Sequence, residues 1–365
     1  MKKVLLIATV QSHICQFHKP LVEVLKKHGC EVHVAAKNNL REKNGLQLDF
    51  VDAIYDINFS RNPFSFKNIK AIKKLKNLIN GNFYDYIHCN TPVGGLLGRL
   101  CARKTRDKGT TVIYTAHGFH FYKHAPIKNW ILYYPIEKCL AKATDKLITI
   151  CDEDYKLAKA KFSSNIYRIH GTGVNPDRFY PVSDKEKENI RLQLGLPIKK
   201  TIILIVGELN KNKNQITAIK ALKEISNKDD YLLLLAGNGP KADALKKYVS
   251  KNKLNNFVLF LGYRPNIELY TKSSDVVVSC SLREGLGLNI IEGMLCKKKI
   301  YASINRGHCE LLENKNLFKG KDYLKLFNLI STNNYPEECI EKHFEKAKSY
   351  TFESVKNELE NIYFN

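Results

Sequence analysis

No stretch of the 365 residues approaches the ~20 consecutive apolar residues that a helix needs to cross a bilayer, so any membrane contact is expected to be peripheral. The opening run MKKVLLIATV is short and leads into Gln11, Ser12 and His13 without a small-residue cleavage site. It reads as a buried strand rather than a secretory leader. Ten cysteines occur without a single CxxC, which argues against a zinc ribbon and a disulfide framework and suits reduced thiols in a cytoplasmic enzyme. No GxGxxG follows the first strand, which ends in Thr9-Val-Gln-Ser-His, and this speaks against a dinucleotide-dependent oxidoreductase. Solenoid repeats and low-complexity tails are also missing.

Acidic side chains are scarce. Against 59 Lys and Arg stand 36 Asp and Glu, a net charge of +23. Such an excess fits an anionic partner: nucleic acid, an acidic lipid surface or a phosphorylated substrate. No nucleic-acid module or base-stacking pattern is present, so no nucleic-acid partner is expected. The segment 64–79 joins Lys67, Lys70, Lys73, Lys74 and Lys76 to Phe64, Phe66, Ile69, Ile72, Leu75, Leu78 and Ile79. At helical spacing one side packs on the sheet while the lysines point outward, either simply solvated or facing an anionic membrane surface.

Short apolar strand candidates alternate with helical patterns: 4–9, 31–35, 86–88, 112–115 and 146–150 in one series, then 201–206, 231–236, 257–261, 276–279 and 299–301. Such runs suit parallel sheets covered on both faces. Phe179-Tyr-Pro-Val and the charged stretch after it mark a junction. The expected organisation is two doubly wound α/β domains, 1–180 and 181–349, with 350–365 as a helix returning to the first. Open parallel sheets bind ligands beyond the carboxyl ends of their strands, and two such edges facing across a cleft hold a donor and an acceptor.

The strongest local signal is SLREGLGLNIIEGM, residues 281–294, after the strand at 276–279. Glu284 lies at the strand exit, and Glu292 follows eight positions later on the next helix. Gly285 and Gly287 permit a tight turn, and the N–H groups of Leu286 and Leu288 lie beside the start of a helix whose positive end suits a diphosphate. Other strand ends carry VGELNKNKN from Val206, AGNGP from Ala236 and LGYRP from Leu261. The first half contributes YTAHGFHFYK from Tyr114 and HCNTPVGG from His88.

Together these resemble the retaining glycosyltransferases of family 4, with the GT-B fold and of the bacterial capsular and exopolysaccharide type; the E-x7-E motif is matched by Glu284 and Glu292. The resemblance assigns the chemistry to Glu284, His117 and Lys213. It assigns donor binding to Gly207, Tyr263, Arg264, Gly285, Leu286, Gly287, Leu288 and Glu292. Lys213 matches the family lysine that balances phosphate charge, while Glu208 stands where arginine is usual and receives no role. Ser12 and His13 occupy the first strand-end turn in place of a double glycine and, with His88 and His120, are acceptor-side or loop candidates. Asp152-Glu-Asp reads as an N-cap with acids in the first helical turn, not as a metal-binding Asp-x-Asp.

The resemblance implies transfer of a hexosyl or N-acetylhexosaminyl group from a nucleotide-sugar, UDP-linked, to a lipid-linked saccharide. It implies no metal and no cofactor, at the inner face of the cell membrane. The alternative on the same scaffold is a nucleotide-sugar epimerase with no acceptor.

Overall fold

The computed structural model describes residues 1–43, 46–63, 65–123 and 125–365. Its contacts divide the chain into two compact units, Met1–Gly173 with Phe352–Asn365, and Val174–Thr351. The sequence placed the junction at 180/181.

The first unit holds a seven-stranded parallel sheet in the order β3-β2-β1-β4-β5-β6-β7. Its strands are β1 (Lys3–Val10), β2 (Glu31–Lys37), β3 (Ala53–Asp56), β4 (Tyr86–Asn90), β5 (Thr111–Ala116), β6 (Lys146–Thr149) and β7 (Asn165–Arg168). Central β1 is buried from Val4 through Thr9 because helices cover both its faces, which explains its unbroken apolar run. The order of connection reverses between β1 and β4. At their carboxyl ends Thr9 N–H donates to Thr91 Oγ1 at 3.0 Å. A crevice at such a reversal is where doubly wound sheets take ligands.

The helix Pro92–Ala102 lies directly on this sheet, and its glycines make that approach possible. A Cβ on Gly95 would stand 2.4 Å from Tyr114 Cε2, and one on Gly94 would stand 3.0 Å from the Ala8 backbone. Arg99 on the same helix is fully buried, with its guanidinium 3.7 Å from the Tyr114 ring centre and 2.9 Å from Glu137. The last helix, Phe352–Phe364, packs on Lys19–Lys27.

The lysine-rich helix is Lys67–Gly81, which buries Asn68, Ala71, Leu75 and Ile79 and leaves all five lysines exposed. Its apolar side is not wholly inward as the sequence suggested. Phe66 is 86% and Ile69 63% exposed, because the buried stripe through Asn68, Ala71, Leu75 and Ile79 points the other way. Phe64 lies outside the described residues.

The second unit has a six-stranded parallel sheet, ordered β10-β9-β8-β11-β12-β13. The strands are β8 (Thr201–Val206), β9 (Tyr231–Ala236), β10 (Val258–Gly262), β11 (Val276–Ser279), β12 (Lys299–Ser303) and β13 (Leu317–Phe318). Here the order reverses between β8 and β11. Each unit thus carries its own reversal point, with the sequence motifs at the strand ends beside it. Among the described residues no helix is long and apolar enough to cross a membrane.

Candidate functional site

In the second unit, three strand ends are bare backbone. Gly207, Gly237 and Gly262 follow or close β8, β9 and β10, and all three adopt positive φ. Gly207 N–H donates to Ala236 O at 2.9 Å, and Gly237 N–H to Gly262 O at 2.7 Å. A Cβ on Gly237 would stand 2.1 Å from Gly207 O, so the chain passes there only as glycine. The Lys213 stem lies along Gly207, its Cε 3.2 Å from where a Cβ would be.

The loop from Asn210 aims that lysine. Lys213 N–H donates to Asn210 Oδ1 at 2.9 Å, and Asn214 takes a positive φ. Lys213 Nζ then reaches Glu284 Oε1 at 2.5 Å, with side chains 25% and 15% exposed. The β8 loop is tied to the β11 loop a second time, by Asn212 Nδ2 donating to Arg283 O at 3.0 Å. Glu208 is exposed, accepts from Asn210 Nδ2 and approaches neither Lys213 nor Glu284 by any bond found among the described residues.

The helix after β11 runs Leu288–Leu295 with Gly287 as its N-cap. Gly287 O accepts from Ile290 and Ile291 N–H, so the Leu288 and Asn289 amides precede the first intrahelical bonds. Gly285 and the buried Leu286 form the turn before it. Glu292 is half-buried one turn in, and desolvation lifts its carboxyl to about 7; Glu268 adds to the rise, while Arg178 and Lys213 oppose it. Tyr263 is half-buried and Arg264 exposed at the end of β10, the guanidinium 6.0 Å from the Tyr270 ring.

Sequence reasoning missed two neighbours of this loop. His308, in the helix Arg306–Leu311, is fully buried and faces Gly287, where a Cβ would stand 3.1 Å from its ring. Its Nδ1 lies 2.7 Å from Ser303 O and 2.8 Å from Asn305 Nδ2, and its Nε2 has no hydrogen-bond partner among the described residues. Arg306 Nε donates to Glu284 O at 3.3 Å. The resemblance singled out His117 but offered no such match for His308, which follows β12 by five residues.

In the first unit the structure brings together His13 and His117, with their Nε2 atoms 3.3 Å apart. His117 leaves β5 and also meets Asn90 Oδ1 at 3.4 Å. The loop that carries it is pinned by the acids of the helix Asp152–Lys161. Asp154 Oδ2 accepts from Phe119 N–H at 3.0 Å and Glu153 Oε1 from Lys123 N–H at 2.7 Å. The N-cap is Cys151, so Asp152 is the first helical residue rather than the cap and bridges Lys156. Burial lowers His117 to about 4 and holds His13 well below the usual histidine range, so both rings are neutral at physiological pH.

His18, which the sequence reading passed over, joins this pair; one ring nitrogen of each of His13, His18 and His117 lies within 4.8 Å of those of the others. Ser12 and His13 do not occupy an open turn, since the helix Gln11–Phe17 begins directly after β1. Ser12 is buried and exchanges hydrogen bonds with Asn39. His88 sits inside β4 rather than in a loop, its nitrogens 2.6 Å from Tyr363 Oη and 2.7 Å from Thr115 Oγ1. Its partners are already protein groups, and it is lowered to about 3 by burial. His120 packs on Tyr133 with ring centres 4.6 Å apart, outside the histidine cluster.

The model for "Glycosyl transferases group 1" matches residues 186–338, and that for "Glycosyl transferase 4-like" matches 3–151. The Bacillus subtilis protein named "Putative glycosyltransferase EpsD" is 42% identical over 85% of this chain and 81% of its own. The Escherichia coli UDP-Gal:alpha-D-GlcNAc-diphosphoundecaprenol alpha-1,3-galactosyltransferase is 30% identical over 78% of this chain and 74% of its own. Among solved structures, HepE of Anabaena in complex with UDP superposes with a TM-score of 0.76 at 18% identity, covering 99% of each chain. That likeness establishes the GT-B fold.

Proposed function

This chain belongs to the group 1 glycosyltransferases, and we propose that it moves a sugar from a UDP-linked donor to a lipid-linked saccharide with retention of the anomeric configuration. The observation that carries the reading is the pairing of Lys213 with Glu284 beside the bare backbone of Gly207. An ammonium for a diphosphate and a carboxylate for sugar hydroxyls are thereby held at one place, at the entrance to a helix whose first amides precede its hydrogen-bond ladder.

In this reading the diphosphate meets Lys213 and the amides near Gly287 and Leu288, with no metal needed at that end. The sugar meets Glu284, and the ribose meets Glu292. Tyr263 and Arg264 flank the base. As the bond to the leaving diphosphate stretches, Lys213 and the amides stabilise the charge that develops there. The departing phosphate, still on the same face, takes the proton of the acceptor hydroxyl.

A lipid-linked acceptor is supported by the Escherichia coli relative, whose name carries a diphosphoundecaprenol substrate. Exopolysaccharide or capsule assembly at the inner face of the membrane is the context we infer. Exposed apolar side chains beside basic ones favour recruitment to an anionic surface. Phe66 and Ile69 stand out on the lysine-rich helix, and Ile127 and Ile131, 78% and 72% exposed, on Ile127–Ala141; both helices pack on Pro92–Ala102.

The test is nucleotide release across a panel of UDP- and GDP-sugars, with and without a diphosphoundecaprenol-linked saccharide. Release of UDP that requires the acceptor, with an axial glycosidic bond formed from an axial donor, is the expected result. Turnover of UDP-sugar to its epimer without acceptor would replace the transferase reading with the epimerase one.

A further inference from the structure

The cluster of His13, His18 and His117 brings a ring nitrogen of each of three imidazoles close enough for one ion to meet them all. A tetrahedral zinc ion with Zn–N of ~2.0–2.1 Å sets its nitrogen ligands about 3.4 Å apart. His13 Nε2 and His117 Nε2 stand 3.3 Å apart, and the nearest nitrogen of His18 lies within 4.8 Å of both. His18 has to close by at most about 1.4 Å to complete three corners of that figure.

His18 also has an unmet need. It is 4% exposed, and its Nε2 has no hydrogen-bond partner among the described residues. A buried imidazole nitrogen left this way is costly unless a ligand or water satisfies it. Beside it lies a cavity of about 20 Å³, bounded by His18, His88, Thr115 and His117, with space for one water or ion. His88 is not a fourth ligand, because Tyr363 and Thr115 already hold both its nitrogens. Instead it fills one wall and keeps the ring of His18 in place, their centres 6.2 Å apart.

We propose that His13, His18 and His117 bind one divalent transition-metal ion, Zn2+ by the chemistry of the donor set, with the fourth position left to an oxygen ligand. All-imidazole sets select zinc, cobalt, nickel or copper over magnesium or calcium, which require oxygen ligands. Three protein ligands with an open corner leave a site for water or a hydroxyl, here one from a saccharide bound at the β1–β4–β5 edge. The site lies wholly in the first unit and stands independently of the donor chemistry proposed for Lys213 and Glu284.

Protein without a histidine tag, stripped with chelator, is titrated with Zn2+ against a chromophoric competitor, and separately with Co2+ while the visible spectrum is recorded. One Zn2+ per chain, an intense tetrahedral Co2+ spectrum and a rise in melting temperature with Zn2+ are expected. His18→Ala and His13→Ala each weaken binding at least tenfold, while His28→Ala, at a surface ion pair with Glu360, leaves it unchanged. His13 is only half-buried, so that variant reports even if His18→Ala folds poorly. Absence of stoichiometric uptake by the wild-type chain, or equal uptake by the His13 and His18 variants, overturns the proposal and leaves the transferase reading intact. Those outcomes would mean a bridging N–H···N bond between His13 and His117 with a water in the cavity.

Discussion

Lys213 Nζ stands 2.5 Å from Glu284 Oε1, joining two residues 71 positions apart in sequence. Both sides of this contact are constrained. Lys213 lies against Gly207 and is aimed by Asn210, while Arg306 holds the Glu284 carbonyl. In the unliganded chain the cation expected to face phosphate and the carboxylate expected to face sugar neutralise each other. In the proposed reading, a diphosphate arriving beside them offers more negative charge than one carboxylate and would draw the ammonium toward itself, which would free Glu284 for the sugar.

On that reading, removing Lys213 removes a charge used in the reaction rather than a support of the fold. Lys213→Ala should lower kcat/KM for the donor by a factor on the order of 10²–10³, the size seen when one group stabilising a developing anion is lost. Thermal stability should fall little, since partly exposed ion pairs contribute ~1 kcal/mol or less. Glu208→Arg should leave donor use unchanged or improve it, because Glu208 is exposed and its carboxylate is bonded only to Asn210 among the contacts found. Steady-state kinetics of both variants, with melting curves, check this; a normal kcat/KM in Lys213→Ala would take that residue out of the site.

The two glutamates of the 281–294 motif should fail differently. Glu284 lies outside the helix and, in the proposed reading, would meet the part of the donor that changes during reaction, so Glu284→Gln should mainly reduce kcat. Glu292 lies inside the helix and in the same reading would meet a part that does not change, so Glu292→Gln should mainly raise KM. Equal effects on kcat from both variants would remove the distinction.

The Glu292 carboxyl, near 7, adds a pH signature. In the proposed reading ribose hydroxyls would donate to the ionised form, so donor KM should fall as pH rises through neutrality, and that slope should vanish in Glu292→Gln. Stability should run the opposite way. The folded pKa lies above the ordinary 4.5, so the stabilising proton is fully held at and below about 4.5 and is lost as pH climbs to about 7. Urea denaturation of wild type and Glu292→Gln at acid and neutral pH measures the difference, and a wild-type slope retained in the variant would refute the assignment.

Central strands were legible in the sequence because burial on both faces writes a continuous apolar run. Residues 201–206, 231–236 and 276–279 coincide with β8, β9 and β11. Three of the four edge strands were not. β3 alternates between half-buried and exposed positions, β7 has no buried residue, and β13 is two residues long, so none carries such a run. The motif glutamates were legible from spacing and resemblance, whereas the Lys213–Glu284 contact, His18 and His308 depend on tertiary packing that local pattern does not encode. Ser12 and His88 show the converse: polar residues beside strand ends looked available, yet Asn39, Tyr363 and Thr115 already occupy them.

Two glycines in the first unit make a controlled pair. Gly95→Ala places a methyl 2.4 Å from the buried Tyr114 ring, which the Arg99 guanidinium backs at 3.7 Å and keeps from swinging away. A loss of about 1–3 kcal/mol is expected. Gly81→Ala, at the end of Lys67–Gly81, meets nothing within 4 Å and should be neutral or stabilising by up to about 1 kcal/mol. Chemical denaturation of both variants decides the matter; comparable gains would mean that helix propensity, not helix–sheet packing, governs these positions.

The lysine-rich helix supplies the last prediction. Lys67, Lys70, Lys73, Lys74 and Lys76 are exposed alongside Phe66 and Ile69, so charge and apolar surface reach solvent together. A purely solvated helix would gain nothing by leaving those two apolar side chains uncovered. On an anionic bilayer each lysine contributes on the order of 1 kcal/mol, and the apolar pair enters the interface. Co-sedimentation with vesicles containing anionic lipid should fall when the five lysines become Gln, and again when salt is raised. Phe66→Ser with Ile69→Ser should weaken binding in a salt-independent way, because the buried stripe of Asn68, Ala71, Leu75 and Ile79 is untouched and the helix remains packed. Equal binding to neutral and anionic vesicles would refute electrostatic recruitment and place the membrane contact on the apolar side chains Ile127 and Ile131 instead.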